Sequence, residues 1–272
     1  MSKVTISPAG NSDAAKLTAV LQYRELIMAL ALRSIKTRFR ETRFGIAWAF
    51  IQPLIYMLVL NFFFGLIIRF ESEVPYPLYL LTALVAFQFF IKSISEGSRS
   101  ISGNDSILHN IYVNPIVFPV AAMISGIVDI SFSILILIGF YLAYRIGFNQ
   151  NIFYLPLILS LLLLLYASVH LMMSVLTVRY KDIGQFVPVM TQLMFFGTPI
   201  FYQVARIPDH LLPIVGLNPM VGIVEMLRWS LLVKYPAPNP ILLTLSIVIT
   251  FALAIMAILV YRFLVKGMQN HL

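Results

Sequence analysis

The sequence predicts an all-α integral membrane protein with six transmembrane helices, and three observations carry that reading. Of 272 residues, 60% are hydrophobic. Only 11% are charged, against about 25% in an ordinary soluble domain. Six apolar runs are each long enough to cross a hydrocarbon core about 30 Å thick. Little chain remains for a soluble domain. Residues 1–20 form a polar tail without the apolar core of a cleavable signal peptide, so the first span is expected to serve as targeting signal.

The runs lie at about 45–68, 76–96, 116–144, 152–178, 184–203 and 240–264. They divide the chain into the tail, an interface helix over 21–43, a six-span domain over 44–266 and a second tail over 267–272. With both termini inside, fourteen Lys and Arg residues fall on inner segments and five on outer ones. That bias orients both termini to the cytoplasm. The net charge of +8 reads as topology, not nucleic-acid binding, because the basic residues flank apolar runs. The chain has no cysteine, which excludes disulfides and thiol chemistry.

Ahead of the first span, "YRELIMALALRSIKTRFRETRFG" places Gln22, Glu25, Arg33, Lys36 and Arg40 on one narrow helical stripe. Apolar residues fill the rest, as in an amphipathic helix lying in the inner interface. Anchoring to anionic lipid and docking a cytoplasmic partner both suit it. Between spans two and three, Gly103, Asn104, Asp105 and Ser106 offer helix-start chemistry before "ILHNIYV", which contains His109, and Asn114-Pro115 ends it. A short cytoplasmic helix over 103–114 is expected there. Such a helix can pass a push from a soluble partner into the membrane.

The outer loops at 69–75 and 145–151 are short, whereas 204–239 holds two stretches too short to span, separated by Gly216. In the second, "LNPMVGIVEMLRWSLL", Asn218 suits the cap and Pro219 the first turn, and Glu225 and Arg228 share a face. The pattern predicts a re-entrant helix pair within 206–235, tolerated only where protein or water surrounds it. It serves either as packing or as an outer gate. Alanine at Glu225 or Arg228 is expected to impair transport while leaving the protein inserted and assembled.

Inside the bilayer Asp129 is the costliest residue. With Ser125 and Ser133 it forms a polar stripe on the third span, suited to a packing seam or to a pathway wall. His170 on the fourth span reads more simply as packing. Aromatic residues crowd spans one, two and five, among them Trp48, Phe50, Tyr56, Phe195, Phe196 and Tyr202. Flat amphipathic rings can stack on sugar faces. Pro53 in the first span, and Pro188 and Pro199 in the fifth, each remove a backbone bond. No phosphate-binding G-x-x-x-x-G-K-[ST] loop, nucleophile elbow, H-E-x-x-H or paired-carboxylate set occurs, so an enzyme is not expected.

The motifs together resemble the membrane subunit of type-2 ABC exporters, in the branch that exports O-antigen and related lipid-linked polysaccharides or teichoic acids. "RFGIAWAFIQPLIYMLVLNFFFGLI" is similar to that family's first span, "VRYKDIGQFVPVMTQLMFFGTPIFY" to its fifth, and "LNPMVGIVEMLRWSLL" to its external segment. The resemblance covers roughly residues 20–265. It implies a homodimer above two cytoplasmic ATPase subunits, which would hold the ATP and magnesium; this chain itself would hold no cofactor. It implies that Glu25, Arg33, Lys36, Arg40, Asn104, Asp105 and His109 meet the ATPase. Trp48, Phe50, Pro53, Tyr56, Phe195, Phe196 and Tyr202 would line a canal and its lateral opening. Asn218, Pro219, Glu225 and Arg228 would belong to the outer gate. Arg38, Arg40 and Arg43 could attract the pyrophosphate of a lipid-linked glycan at the inner entrance. The rival readings are a type-2 exporter of drugs or small lipids, and an autonomous carrier or channel.

Overall fold

A computed structural model describes residues 22–40, 45, 47–67, 74–104, 113–147 and 149–268, and every regular element among them is helical. Helix α1 (Arg24–Arg40) precedes the first span. Its Ile27 and Ala31 are buried against Val117 and Ala121 at the start of α4 (Val117–Ala143), while Glu25, Arg33 and Lys36 are exposed. One apolar line therefore fixes α1 to the bundle. Leu26, Met28 and Leu32 stay uncovered by this chain.

The first span is α2 (Ala47–Leu60), which passes into a π-helical stretch over Asn61–Ile67. Pro53 lies inside α2 without ending it. Helix α3 (Tyr76–Ser100) is the centre of the bundle: α2, α4, α5 (Leu155–Arg179), α6 (Lys181–Gly197) and the later external helix all pack around it. Leu78, Leu80, Leu81, Ala83 and Leu84 are fully buried in its first half. In its second half Gly97 meets α5 so closely that a Cβ would lie 2.8 Å from the His170 carbonyl oxygen. Next to it, Thr177 Oγ1 donates to the Ser98 carbonyl at 2.7 Å. Helix α9 (Pro240–Met268) runs along the other side of α5. It continues past the expected end at 264 because Tyr261 and Val265 bury against Ile101, Ile116 and Val175.

The fifth span departs from expectation. Helix α6 ends at Gly197 and not near 203. At 17 residues it is about 26 Å long, short of the hydrocarbon core. The cause is Pro199, whose ring disfavours helical backbone at the residue before it. Thr198 accordingly adopts φ −103°, ψ 135°. Pro188, by contrast, is carried inside α6. Five other helices among the described residues are long and apolar enough to cross a membrane.

The external segment folds as a bent pair. A 3-10 turn (Asp209–Leu211) and α7 (Leu212–Val215) form one arm, α8 (Pro219–Leu231) forms the other, and the two meet at 108°. Pro219 occupies the first turn of α8, and Asn218 Oδ1 accepts the Met220 N–H at 3.0 Å. Between spans two and three, a 3-10 turn over Ser102–Asn104 is described. Residues 105–112 of the expected 103–114 helix, Asp105 and His109 among them, lie outside the described residues, and Val113 and Asn114 are not helical.

Helix α8 rests on α9 at Gly222. Its N–H donates to Ser246 Oγ at 3.1 Å, and a Cβ there would stand 2.6 Å from the Leu242 carbonyl oxygen. Gly222→Ala should therefore push the helices apart and cost about 1–3 kcal/mol, read as a lowered Tm of the purified protein. Gly139→Ala, with open space around its Cβ position, should leave Tm unchanged or slightly raised.

Candidate functional site

A cavity of about 1110 Å³ opens in the half of the bundle that carries both ends of the described chain. Helices α1, α2, α3, α4 and α6 wall it. α2 and α6 each pack on α3 without a substantial interface of their own, which leaves the cavity between them. The main polar wall is one face of α3, where Gln88, Lys92, Ser95, Glu96 and Arg99 recur at three- and four-residue spacing. α1 adds Arg33; α2 adds Gln52 and Tyr56; α6 adds Thr191, Gln192, Phe195 and Phe196. The lining thus carries charged and hydrogen-bonding groups of both signs, Lys92, Glu96 and Arg99, on one side and aromatic rings on the other.

Asp129 meets this wall. Its Oδ2 lies 2.6 Å from Lys92 Nζ, with the Asp129 side chain 4% exposed and the Lys92 side chain 30% exposed. The positive-inside count takes Lys92 as one of its inner charges. In the fold it stands eight residues before the end of α3, about 12 Å up the helix. Ser125 and Ser133 are buried beside Asp129 on α4, so this stripe is an internal seam built around an ion pair. His170 is buried against Tyr166, and neither ring nitrogen has a hydrogen-bond partner. That is a packing position.

The opposite end of the bundle holds a clamp around the unwound stretch after α6. Its carbonyls have lost helical donors and take side-chain donors instead. Asn218 Nδ2 donates to the Gly197 carbonyl at 3.1 Å. Arg228 Nη2 donates to Ile200 at 2.8 Å. Tyr76 donates to Phe201 at 3.0 Å and Tyr79 to Tyr202 at 2.8 Å. Arg228 is fully buried, with its guanidinium carbon 3.6 Å from the Tyr79 ring centre and Nη1 3.4 Å from Glu225 Oε1. Tyr235 donates to the same carboxylate oxygen at 2.9 Å. Burial, then the Glu225 charge, push the Tyr235 phenol well up, so it stays protonated. The C-terminal end of α8 is held in the same manner, by Asn149 donating to the Trp229 and Leu232 carbonyls and by Tyr141 donating to Leu231.

The residues singled out from sequence fall into separate places. Tyr56, Phe195 and Phe196 line the cavity, as do Arg33 and Asn104, whose Nδ2 donates to the Ser100 carbonyl at 2.9 Å. Phe50 packs edge-on against Phe132, Pro53 is buried within α2 and Trp48 is exposed. Tyr202 belongs to the clamp, and its hydroxyl donates to the carbonyl of the cavity-lining Phe196 at 3.3 Å. Arg38 and Arg40 lie on the last turn of α1, and Arg43 lies outside the described residues. The polar face of α3 is not singled out by the sequence, and Tyr76 and Tyr79 stand there only among the crowded aromatics of span two, not as donors. Helical spacing of Gln88, Lys92, Ser95, Glu96 and Arg99 was the available signal for the first; nothing local marks the second. Among the described residues no group of three His, Asp or Glu side chains could hold a metal ion.

Burial revises the expected effect of substitution in the clamp. Arg228→Ala would strand Glu225 as a buried charge and leave the Ile200 carbonyl without its donor. The expected loss is about 3–5 kcal/mol, read as a large fall in Tm or in the yield of folded protein. Arg228→Lys, which keeps the charge and loses the fork, should fall between. Tyr235→Phe should cost about 1.5–3 kcal/mol. A wild-type Tm in Arg228→Ala would remove the clamp from the stability of the fold.

A family model described as ABC-2 type transporter matches residues 25–232. RfbA of Myxococcus xanthus, an O-antigen export system permease protein, is 24% identical over 205 residues, 74% of this chain and 78% of its own length. The polysialic acid transport protein KpsM of Escherichia coli is 28% identical over 212 residues, covering 77% of this chain and 82% of its own. RfbA of Klebsiella pneumoniae is 26% identical over 248 residues, covering 88% and 93%. The matched residues run from α1 through the cavity helices to the end of the clamp, and the chain belongs to the ABC-2 type transporter membrane family.

Proposed function

We propose that this chain is the permease subunit of an ATP-driven exporter that moves a lipid-linked polysaccharide from the cytoplasmic to the outer face of a bacterial inner membrane. The observation that carries the proposal is the cavity between α2 and α6, charged and polar along α3, with Arg33 of α1 and Lys92 and Arg99 of α3 outnumbering Glu96, and aromatic along its flanks. A lipid-linked glycan presents a charged diphosphate, a hydrated chain and an apolar tail, and such a lining has a surface for each. The relatives' names point to O-antigen and capsular polysaccharides.

The working unit is a homodimer. α2, the π-helical stretch after it and α6 bear large uncovered apolar side chains, including Tyr56, Phe62, Leu193 and Phe196, on elements with few packing partners in this chain. Two cytoplasmic ATPase subunits bind ATP and magnesium and dock on α1 and the 103–114 link, with both termini cytoplasmic. Arg38, Arg40 and Arg43 extend the basic entrance. The α7–α8 pair, with Asn218, Pro219, Glu225 and Arg228, serves as the outer gate.

Deletion of the gene should cause lipid-linked glycan to accumulate inside and surface glycan to disappear. Unchanged glycan with new drug sensitivity would favour a small-molecule exporter instead. Charge reversal at Arg33 and Lys36 should abolish co-purification of the ATPase; unchanged co-purification would leave α1 as a lipid anchor only. An intact membrane in which crosslinking finds no ATPase would overturn the ATP-driven reading in favour of an autonomous carrier or channel.

A further inference from the structure

Lys92 has an unusual position for a lysine. It sits within a spanning helix, and it faces two ways. On one side is Asp129, 2.6 Å away and almost wholly buried. On the other is the large cavity, toward which the 30% of the Lys92 side chain that remains exposed is open. An ammonium has three donors; one goes to Asp129. Gln88, one turn earlier on the same face, also lines the cavity, and its buried Nε2 has no hydrogen-bond partner. Both residues line in addition a small void of about 30 Å³ beside Asp129. A cation and an unmet amide donor thus share one rung, above the basic mouth formed by Arg33 and Arg99.

We propose that this rung binds the diphosphate of a polyisoprenyl-linked substrate, with Lys92 and Gln88 as donors and Asp129 as the resident counter-ion that the diphosphate displaces. The inference rests on the export function proposed above and names a site within it. Asp129 offsets the Lys92 charge when the cavity is empty, since an unpaired cation at this depth is costly. A diphosphate carries more charge than one carboxylate and offers several oxygens, so it outcompetes Asp129 for the ammonium. The aromatic side chains of Tyr56, Phe195 and Phe196 give the attached prenyl chain an apolar wall.

The test is equilibrium binding to the purified full-length protein in nanodiscs, using farnesyl diphosphate, farnesol and inorganic pyrophosphate. Wild type should bind farnesyl diphosphate at least tenfold more tightly than either other probe. Lys92→Gln should lose about tenfold in that affinity, Lys92→Arg should retain it and Asp129→Asn should gain severalfold. Equal affinity in wild type and Lys92→Gln would overturn the site, and so would weaker binding in a folded Asp129→Asn. Inorganic pyrophosphate binding as tightly as farnesyl diphosphate would overturn the lipid-linked assignment. A measurement on the unmutated protein covers variants that fail to fold: farnesyl diphosphate should slow acetylation of Lys92 relative to Lys36, and unchanged labelling would refute the proposal. A protein that exports glycan in cells yet fails these tests loses the site and keeps the function.

Discussion

Backbone that unwinds inside a membrane protein must find donors for its carbonyls, and the half of this fold that holds α8 is arranged around that need. Pro199 stops α6, and the carbonyls of Gly197, Ile200, Phe201 and Tyr202 are then met by Asn218, Arg228, Tyr76 and Tyr79. Each donor has its own support. Arg228 is tolerated in the interior because Glu225 and the Tyr79 ring compensate its charge. Glu225 is tolerated because Tyr235 and Arg228 both bond it. Asn218 serves α6 with its amide nitrogen and α8 with its amide oxygen. Few of these groups could change without stranding another.

Helix α3 joins this clamp to the inner cavity. Its first half is core, broken only by the two clamping tyrosines; its second half turns a polar face to the cavity. The charges on that face are paired or open to the cavity, which agrees with the cost of burying an ion in hydrocarbon. Close approach at Gly97 keeps the polar half of α3 in register with α5. The same helix therefore carries both the rigid part of the structure and the part that faces a ligand.

Hydropathy made the spans legible because length and apolarity decide insertion whatever the tertiary contacts. The α7–α8 bend and its Asn218-Pro219 start were legible for a local reason, since caps act over two or three residues. The early end of α6 was marked by Pro199, but apolar residues continue past it and the hydropathy run masked the break. Lys92 was misjudged because counting charges near span ends says nothing about depth or pairing, and Asp129 lies 37 residues away. Glu225 and Arg228 were rightly seen to share a face. Their burial depends on Tyr79 and Ile200, which no local pattern connects to them.

The bond from Arg228 to Ile200 also fixes an order of events during synthesis. Tyr76 and Tyr79 are made long before the unwound stretch and are in place to receive Phe201 and Tyr202. Ile200 precedes its donor by 28 residues, so α6 enters the bilayer with its end incomplete. The end is finished only when α8 folds back onto it. Until that moment the Ile200 carbonyl lacks its donor, and the nascent chain carries an unmet polar group.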